Sequence, residues 1–184
     1  MKAIRCLFLA VASLVVLSST ALSQANKDEC SGRNVEGCLG QPRPMTLAIA
    51  KAIVAAASST CSPPATCTGS FVVTDDAGVL IYLETLDGTI AGVPEVTIKK
   101  AKTAAIWRRP TALFMEMVKD GTNIAYTDGS FPDMTISRGG VPLLANGRIV
   151  GGFGHGGTGL DQNIPKMESL AKETAARLLS NRSR

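Results

Sequence analysis

The chain has 184 residues and a formal net charge of +4; 45% of its side chains are hydrophobic and 18% are charged. This composition excludes a disordered polyelectrolyte, and an aromatic content of only 4% argues against a stacking platform for single-stranded nucleic acid. The length predicts one domain. The mean hydropathy of +0.18 is high, but beyond the N-terminal segment no stretch reaches the roughly 18 apolar residues of a membrane helix.

The N-terminal segment has the layout of a secretory signal peptide. Lys2 and Arg5 precede an apolar run over residues 6–17, and small residues follow it. We expect cleavage after Ser23, with Ala25 as the alternative site, and an exported, periplasmic or secreted protein without membrane contact. An uncleaved membrane anchor is the other interpretation. Loss of the two cations lowers the net charge, so the basic pI gives no argument for a nucleic-acid partner.

Four cysteines follow the signal peptide, and an even number in an exported chain predicts disulfide bonds. They allow three pairings, of which the local one, Cys30 with Cys38 and Cys61 with Cys67, costs the least loop-closure entropy. Residues 24–44 are polar and contain several glycines and prolines, which predicts an extended, disulfide-tied N-terminal arm. A metal site is disfavoured because the chain has no C-x-x-C motif and a single histidine.

Hydrophobic periodicity and turn residues predict a domain of helices and hairpins over residues 45–184. Thr46 is the expected N-cap of the first helix, and Asn146-Gly147 between two apolar runs is the strongest short hairpin signal in the chain. The predicted helices are 46–58, 94–108, 111–119 and 164–180, and the predicted strands are 70–75, 79–86, a short one near 134–137, 141–145 and 148–153. Tight turns between adjacent strands require antiparallel pairing, so the class is α+β.

Nine of the 18 glycines lie between residues 139 and 159, and residues 152–157 satisfy G-x-G-x-x-G. A dinucleotide site is rejected, because a Rossmann unit needs a second parallel strand after the helix and the preceding strand belongs to an antiparallel hairpin. Two interpretations remain open. The glycines let a flat ligand or a neighbouring subunit approach the backbone, or they form a sharp sheet edge with a flexible loop.

No catalytic constellation is recognisable, which favours binding over hydrolysis. The chain lacks a G-x-S-x-G elbow, and its sole histidine, His155, is flanked by glycines, which disfavours a rigid general base. His155 is either an ordinary loop histidine or an axial ligand to haem iron. Met115 and Met117 are alternative iron ligands, or they belong to the core.

Five cations lie within eleven consecutive residues, in the second predicted helix and just after it: Lys99, Lys100, Lys102, Arg108 and Arg109. Such a cluster can hold carboxylates, for example haem propionates, or phosphates. The alternative is an ordinary solvated helix face.

Several segments, in order, resemble the GlcG/HbpS-type haem-binding family. They are Val72–Leu80, Lys100–Ala104 with Arg109–Thr111, Gly139–Leu143 with Gly147, Val150–Gly154, and Gln162. The similarity runs from about Met45 to Leu179. Two departures are His155-Gly156, at positions where the family usually has Val-Ser, and Asn163, where it usually has Asp.

The resemblance implies a profilin-like α+β fold with a five-stranded antiparallel sheet flanked by helices, assembly into a homo-oligomer, and binding of haem or a related tetrapyrrole. The expected role is haem uptake, sensing or degradation. The expected cofactor-binding residues are Lys102, Thr103, Arg109, Gly140, Pro142 and His155, with His155 as the candidate iron ligand. Two other hypotheses stay open: an enzyme that acts on a small organic acid clamped by Arg109, and a non-catalytic interaction module.

Overall fold

The computed structural model describes residues 44–61, 67–121, 132–160 and 162–180, all within one unit that begins at Arg43. The predicted signal peptide, the predicted arm, Cys30 and Cys38 lie outside the described residues. Among the described helices, none combines the length and apolar character needed to cross a membrane.

Four helices and four strands make up the described part of the chain and confirm the α+β class. They are α1 (Leu47–Ser58), β1 (Thr68–Asp75), β2 (Leu80–Thr85), α2 (Val93–Trp107), α3 (Thr111–Lys119), β3 (Gly140–Ala145), β4 (Arg148–Thr158) and α4 (Ile164–Ser180). The four predicted helices agree with these bounds to within one residue. The largest difference is in β4, which continues through the glycines to Thr158.

Local chemistry sets several of these bounds. The Thr46 hydroxyl accepts a hydrogen bond from the Ile49 N–H at 3.4 Å, as expected of an N-cap. Arg108 ends α2 in the left-handed conformation at φ 57°, just before Pro110. Asn146 and Gly147 both have positive φ (51° and 73°), the requirement of a tight turn that matches the twist of two antiparallel strands.

The sheet has the strand order β2-β1-β4-β3, and every neighbouring pair is antiparallel. The predicted fifth strand near 134–137 is absent, so the expected five-stranded sheet is corrected to four strands among the described residues. The reason is that side chains take the backbone donors of this segment. The Thr135 N–H donates to Thr103 Oγ1 and the Ser137 N–H donates to Thr135 Oγ1, each at 3.1 Å.

The main hydrophobic core lies between the sheet and the pair α1 and α4. Phe71, Val73 and Phe153 of the sheet pack there with Ile53 of α1 and Met167 of α4, and all five are essentially inaccessible to solvent. Side chains alternate between the two faces of a strand, so the intervening β4 residues face the other way.

Helix α2 covers the opposite face of the sheet and lies almost directly on its backbone. A Cβ added at Gly154 would come within 2.5 Å of the Thr97 carbonyl oxygen, and Cβ atoms at Gly140 and Gly152 would also meet α2 backbone atoms. These glycines therefore allow a helix of the same chain to approach the sheet. The segment up to Thr158 is a strand rather than the flexible loop that one interpretation predicted.

Candidate functional site

The first candidate site is a crevice of about 270 Å³ beside the C-terminal half of α2, which we call the α2 crevice. Its lining residues are Lys102, Thr103, Ile106, Trp107, Pro132, Asp133 and Met134. Most of this lining is apolar, and Ile106 keeps 46% of its surface exposed to solvent. An apolar wall with a few polar groups is the usual construction of a small-molecule site.

Three polar residues line the α2 crevice: Lys102, Thr103 and Asp133. Lys102 Nζ forms an ion pair with Asp133 Oδ2 at 2.5 Å, and this cation lowers the pKa of the Asp133 carboxyl below its usual value. Thr103 Oγ1, in a buried residue, accepts the Thr135 N–H at 3.1 Å. Two of the predicted cofactor-binding residues, Lys102 and Thr103, are therefore brought together in one crevice.

The remaining cations of the predicted cluster are distributed around α2. Lys99 pairs with Glu95 one turn earlier at 3.4 Å, and Arg108 and Arg109 are exposed where α2 ends. Lys100 points inward and is only 8% exposed. The predicted cluster therefore separates into cations on the surface of α2 and at its end, and one buried ammonium, that of Lys100.

Lys100 contributes to a second, polar crevice of about 240 Å³ between the end of β4 and the start of α4, which we call the β4–α4 crevice. Its lining residues are Lys100, Arg138, His155, Gly156, Gly157, Leu160 and Ile164. Lys100 Nζ donates to the His155 carbonyl oxygen at 3.1 Å, and burial lowers the pKa of this ammonium.

His155 lies within β4 and is 2% exposed, which corrects the interpretation of an ordinary loop histidine. Its ring faces α4, where Nε2 lies 3.1 Å from Glu168 Oε1, and its other edge packs on Gly139. The ring and the α2 crevice are therefore on opposite faces of the sheet. The structure does not bring His155 together with Lys102 and Thr103.

Of the other predicted cofactor-binding residues, Gly140 and Pro142 are part of the buried fold, whereas Arg109 lies on the surface. Gly140 is buried beneath α2, and its N–H donates to Thr111 Oγ1 at 2.9 Å. Pro142 is buried in β3 opposite Gly152. Arg109 is exposed, and it lines neither the α2 crevice nor the β4–α4 crevice. Met115 and Met117 are half-buried on α3 and line neither crevice.

The predicted Cys61–Cys67 disulfide is not formed: both residues are buried free thiols. Burial and the neighbouring Cys67 raise the pKa of Cys61 to about 12. Thiol oxidation proceeds through the thiolate, and burial in apolar surroundings disfavours that form. Within the described ranges, no group of three or more His, Cys, Asp or Glu side chains could hold a metal ion.

Sequence reasoning missed Ile106, Trp107 and Met134 of the α2 crevice, and it did not separate the buried Lys100 from the other cations of the cluster. Helical periodicity could have predicted that Lys100 is buried, because this residue lies on the same helix face as the buried Thr97, Ala101 and Ala104. Arg138 and Glu168 had no local signal, since their neighbours are distant in sequence.

Fold and site together define an α+β protein with an antiparallel sheet, helices on both faces and a largely apolar crevice beside α2. The family model described as "Haem degrading protein HbpS-like" matches residues 45–165. The chain therefore belongs to the HbpS-like family, a haem-related family, and the predicted GlcG/HbpS-type membership is confirmed.

Three relatives illustrate the similarity. Protein GlcG of Escherichia coli K12 is 36% identical over 85 residues, which are 46% of this chain and 61% of GlcG. The chain thus matches less than two thirds of this curated relative. A double mutant of Streptomyces reticuli HbpS superposes with a TM-score of 0.56 at 25% identity, over 82% of this chain and 93% of HbpS. The PduOC:heme complex has a TM-score of 0.59 at 17% identity, over 73% and 94% of the two chains, which shows a shared fold.

Proposed function

We propose that this chain is an exported haem-binding protein whose α2 crevice receives one edge of the tetrapyrrole. The observation that carries the proposal is the combination, in the α2 crevice, of apolar walls with the Lys102–Asp133 ion pair, close to the helix end where Arg108 and Arg109 are exposed. A porphyrin has the matching chemistry, with a flat apolar ring and two propionate carboxylates. Membership in the HbpS-like family and the haem complex formed by PduOC on this fold support the same ligand class.

The residues present fit such a ligand. Ile106, Trp107 and Met134 offer apolar surface to the ring, while Lys102, together with Arg108 and Arg109 beyond the helix end, offers positive charge for the propionates. Bound haem supplies redox-active iron, and the groups lining the α2 crevice that could ligate it include the Thr103 hydroxyl and the Met134 thioether, whereas the Asp133 carboxylate is engaged by Lys102. His155 is a poor candidate ligand, because Nε2 is engaged by Glu168 on the other face of the sheet.

The size of the α2 crevice supports assembly into a homo-oligomer. At about 270 Å³ it is slightly smaller than the roughly 300–1,000 Å³ of typical ligand pockets, so a tetrapyrrole can insert only in part. A second copy of the chain would cover the remaining surface of the ring. The edge strand β2 offers a further contact, since Leu80 and Val79 beside it are 43% and 52% exposed.

Export is proposed from the first 23 residues, whose layout is typical of a signal peptide. Expression of the full chain followed by cell fractionation and N-terminal sequencing tests this part. Mature protein that begins at Gln24 or Asn26 in the exported fraction supports it. Protein that retains Met1 in the cytoplasmic fraction contradicts it.

Hemin titration followed at the Soret band tests the ligand and its location. We expect saturable binding, which Ile106→Asp weakens about tenfold or more because a carboxylate enters the apolar wall. Leu47→Asp is the matched control: Leu47 is a similarly exposed helical residue (52%) on α1, on the other face of the sheet. Equal weakening by both variants, or no saturable binding by the parent protein, contradicts the proposal.

The iron ligand is tested separately. His155→Ala is expected to leave the Soret wavelength of the loaded protein unchanged, whereas Thr103→Val or Met134→Leu shifts it. A Soret shift in His155→Ala with none in the other two variants contradicts binding in the α2 crevice.

A further inference from the structure

The β4–α4 crevice contains a buried ammonium with no carboxylate partner among the described residues. Lys100 is 92% buried, and its Nζ donates a hydrogen bond to the His155 carbonyl oxygen at 3.1 Å. An ammonium has three donor hydrogens, and a buried cation without a counter-ion is costly. A bound anion would neutralise the charge of Lys100 and accept hydrogen bonds from its remaining N–H donors.

Arg138 places a second cation at the same crevice. It is exposed and forms no ion pair with any residue in the described ranges. A guanidinium offers a planar pair of N–H donors that matches a carboxylate. The carboxylate of Glu168, one turn into α4, is engaged by His155 Nε2 at 3.1 Å and does not neutralise these cations by an ion pair.

The backbone leaves space beside the ammonium. A Cβ added at Gly156 would lie 3.0 Å from Lys100 Nζ and 2.9 Å from Thr97 Oγ1, so any other residue would crowd this position. Helix α4 begins at Ile164 in the wall of the crevice and has no acidic residue in its first turn. Its first N–H groups add partial positive charge there.

We propose that the β4–α4 crevice binds a small organic carboxylate, with Lys100 and Arg138 as its two anchors. The volume of about 240 Å³ suits a compact acid, and the polar lining with two cations does not match the apolar ring of a tetrapyrrole. The site is distinct from the α2 crevice, with which it shares no lining residue. It does not depend on haem binding.

Calorimetric titration of the full chain with acetate, oxalate and inorganic phosphate, at constant ionic strength set with sodium chloride, tests the proposal. We expect saturable binding of acetate or oxalate. Arg138→Gln is expected to weaken it about tenfold or more, and Lys100→Met to abolish it. Arg148→Gln, a change of another exposed arginine, at the start of β4, is the matched control and should bind like the parent protein.

Four results overturn the proposal: no saturable binding of either carboxylate, saturable binding of phosphate alone, equal weakening by Arg138→Gln and Arg148→Gln, or loss of hemin binding in Arg138→Gln. The last result would make the crevice part of the haem site. Because Arg138 is exposed, its variant keeps the test valid even if Lys100→Met fails to fold.

Discussion

The two faces of β4 are built from opposite kinds of residue. Toward α1 and α4 the strand presents Phe153 and His155, and large side chains fill the space between sheet and helices. Toward α2 it presents Gly152, Gly154 and Gly156, and the helix backbone itself fills that space. One face is thus held by side-chain burial and the other by close backbone approach.

This difference explains where the two crevices lie. A helix that packs directly on strand backbone keeps the rest of its surface free, and Lys102, Ile106 and Trp107 of α2 line the α2 crevice there. The same close approach carries the Lys100 ammonium into the sheet edge beside Gly156. Both crevices that we propose as ligand sites include residues of α2, on the glycine side, whereas the α1 and α4 side supplies most of the hydrophobic stabilisation.

The largest expected effect comes from the side-chain face. Phe153→Ala removes a ring that is fully buried, and it should lower the free energy of unfolding by about 3–5 kcal/mol. Urea unfolding measures this value. Leu144→Ala, at a β3 position that is 42% exposed, serves as the control and should cost less than about 1 kcal/mol. Similar losses in the two variants would break the distinction between the faces.

An intermediate effect is expected from the glycine face. Gly154→Ala places a methyl group within 2.5 Å of the Thr97 carbonyl oxygen and should cost about 1–3 kcal/mol through overpacking. At this chain length that corresponds to a fall in Tm of roughly 2–10 °C. Gly92→Ala is the control, because nothing lies within 4 Å of its added Cβ. A Gly154→Ala protein as stable as Gly92→Ala would show that α2 does not rest on the strand.

The smallest expected effect is a pH dependence of stability that comes from Lys100, on the glycine side of the sheet. Burial lowers the pKa of Lys100 below 10.5, so the unfolded chain holds this proton more strongly than the folded one. The free energy of unfolding of the parent protein should therefore rise, relative to Lys100→Met, as the pH increases toward 10.5. Urea unfolding of both proteins from pH 7.5 to 10 measures the difference, in which other titrating groups cancel. Parallel curves would contradict a buried ammonium.

Local sequence determined the elements of this protein. The periodic apolar residues of α1 and α4, the Thr46 cap, and the Asn146-Gly147 turn each act within a few residues, and the structure confirms them. The family motifs likewise led to Lys102 and Thr103, two residues of the α2 crevice. Such features are legible because their physical causes are short-range.

Tertiary structure alone decided the rest. Residues 134–137 do not form the predicted strand, because the side chains of Thr103 and Thr135 accept hydrogen bonds from their backbone. His155 is buried and contacts Glu168. The β4 glycines are needed because α2, more than forty residues away in sequence, packs directly on them. Thr103, Glu168 and α2 each lie 13 or more residues from the group that they contact. Only folding determines which backbone or side chain occupies the space beside such a group.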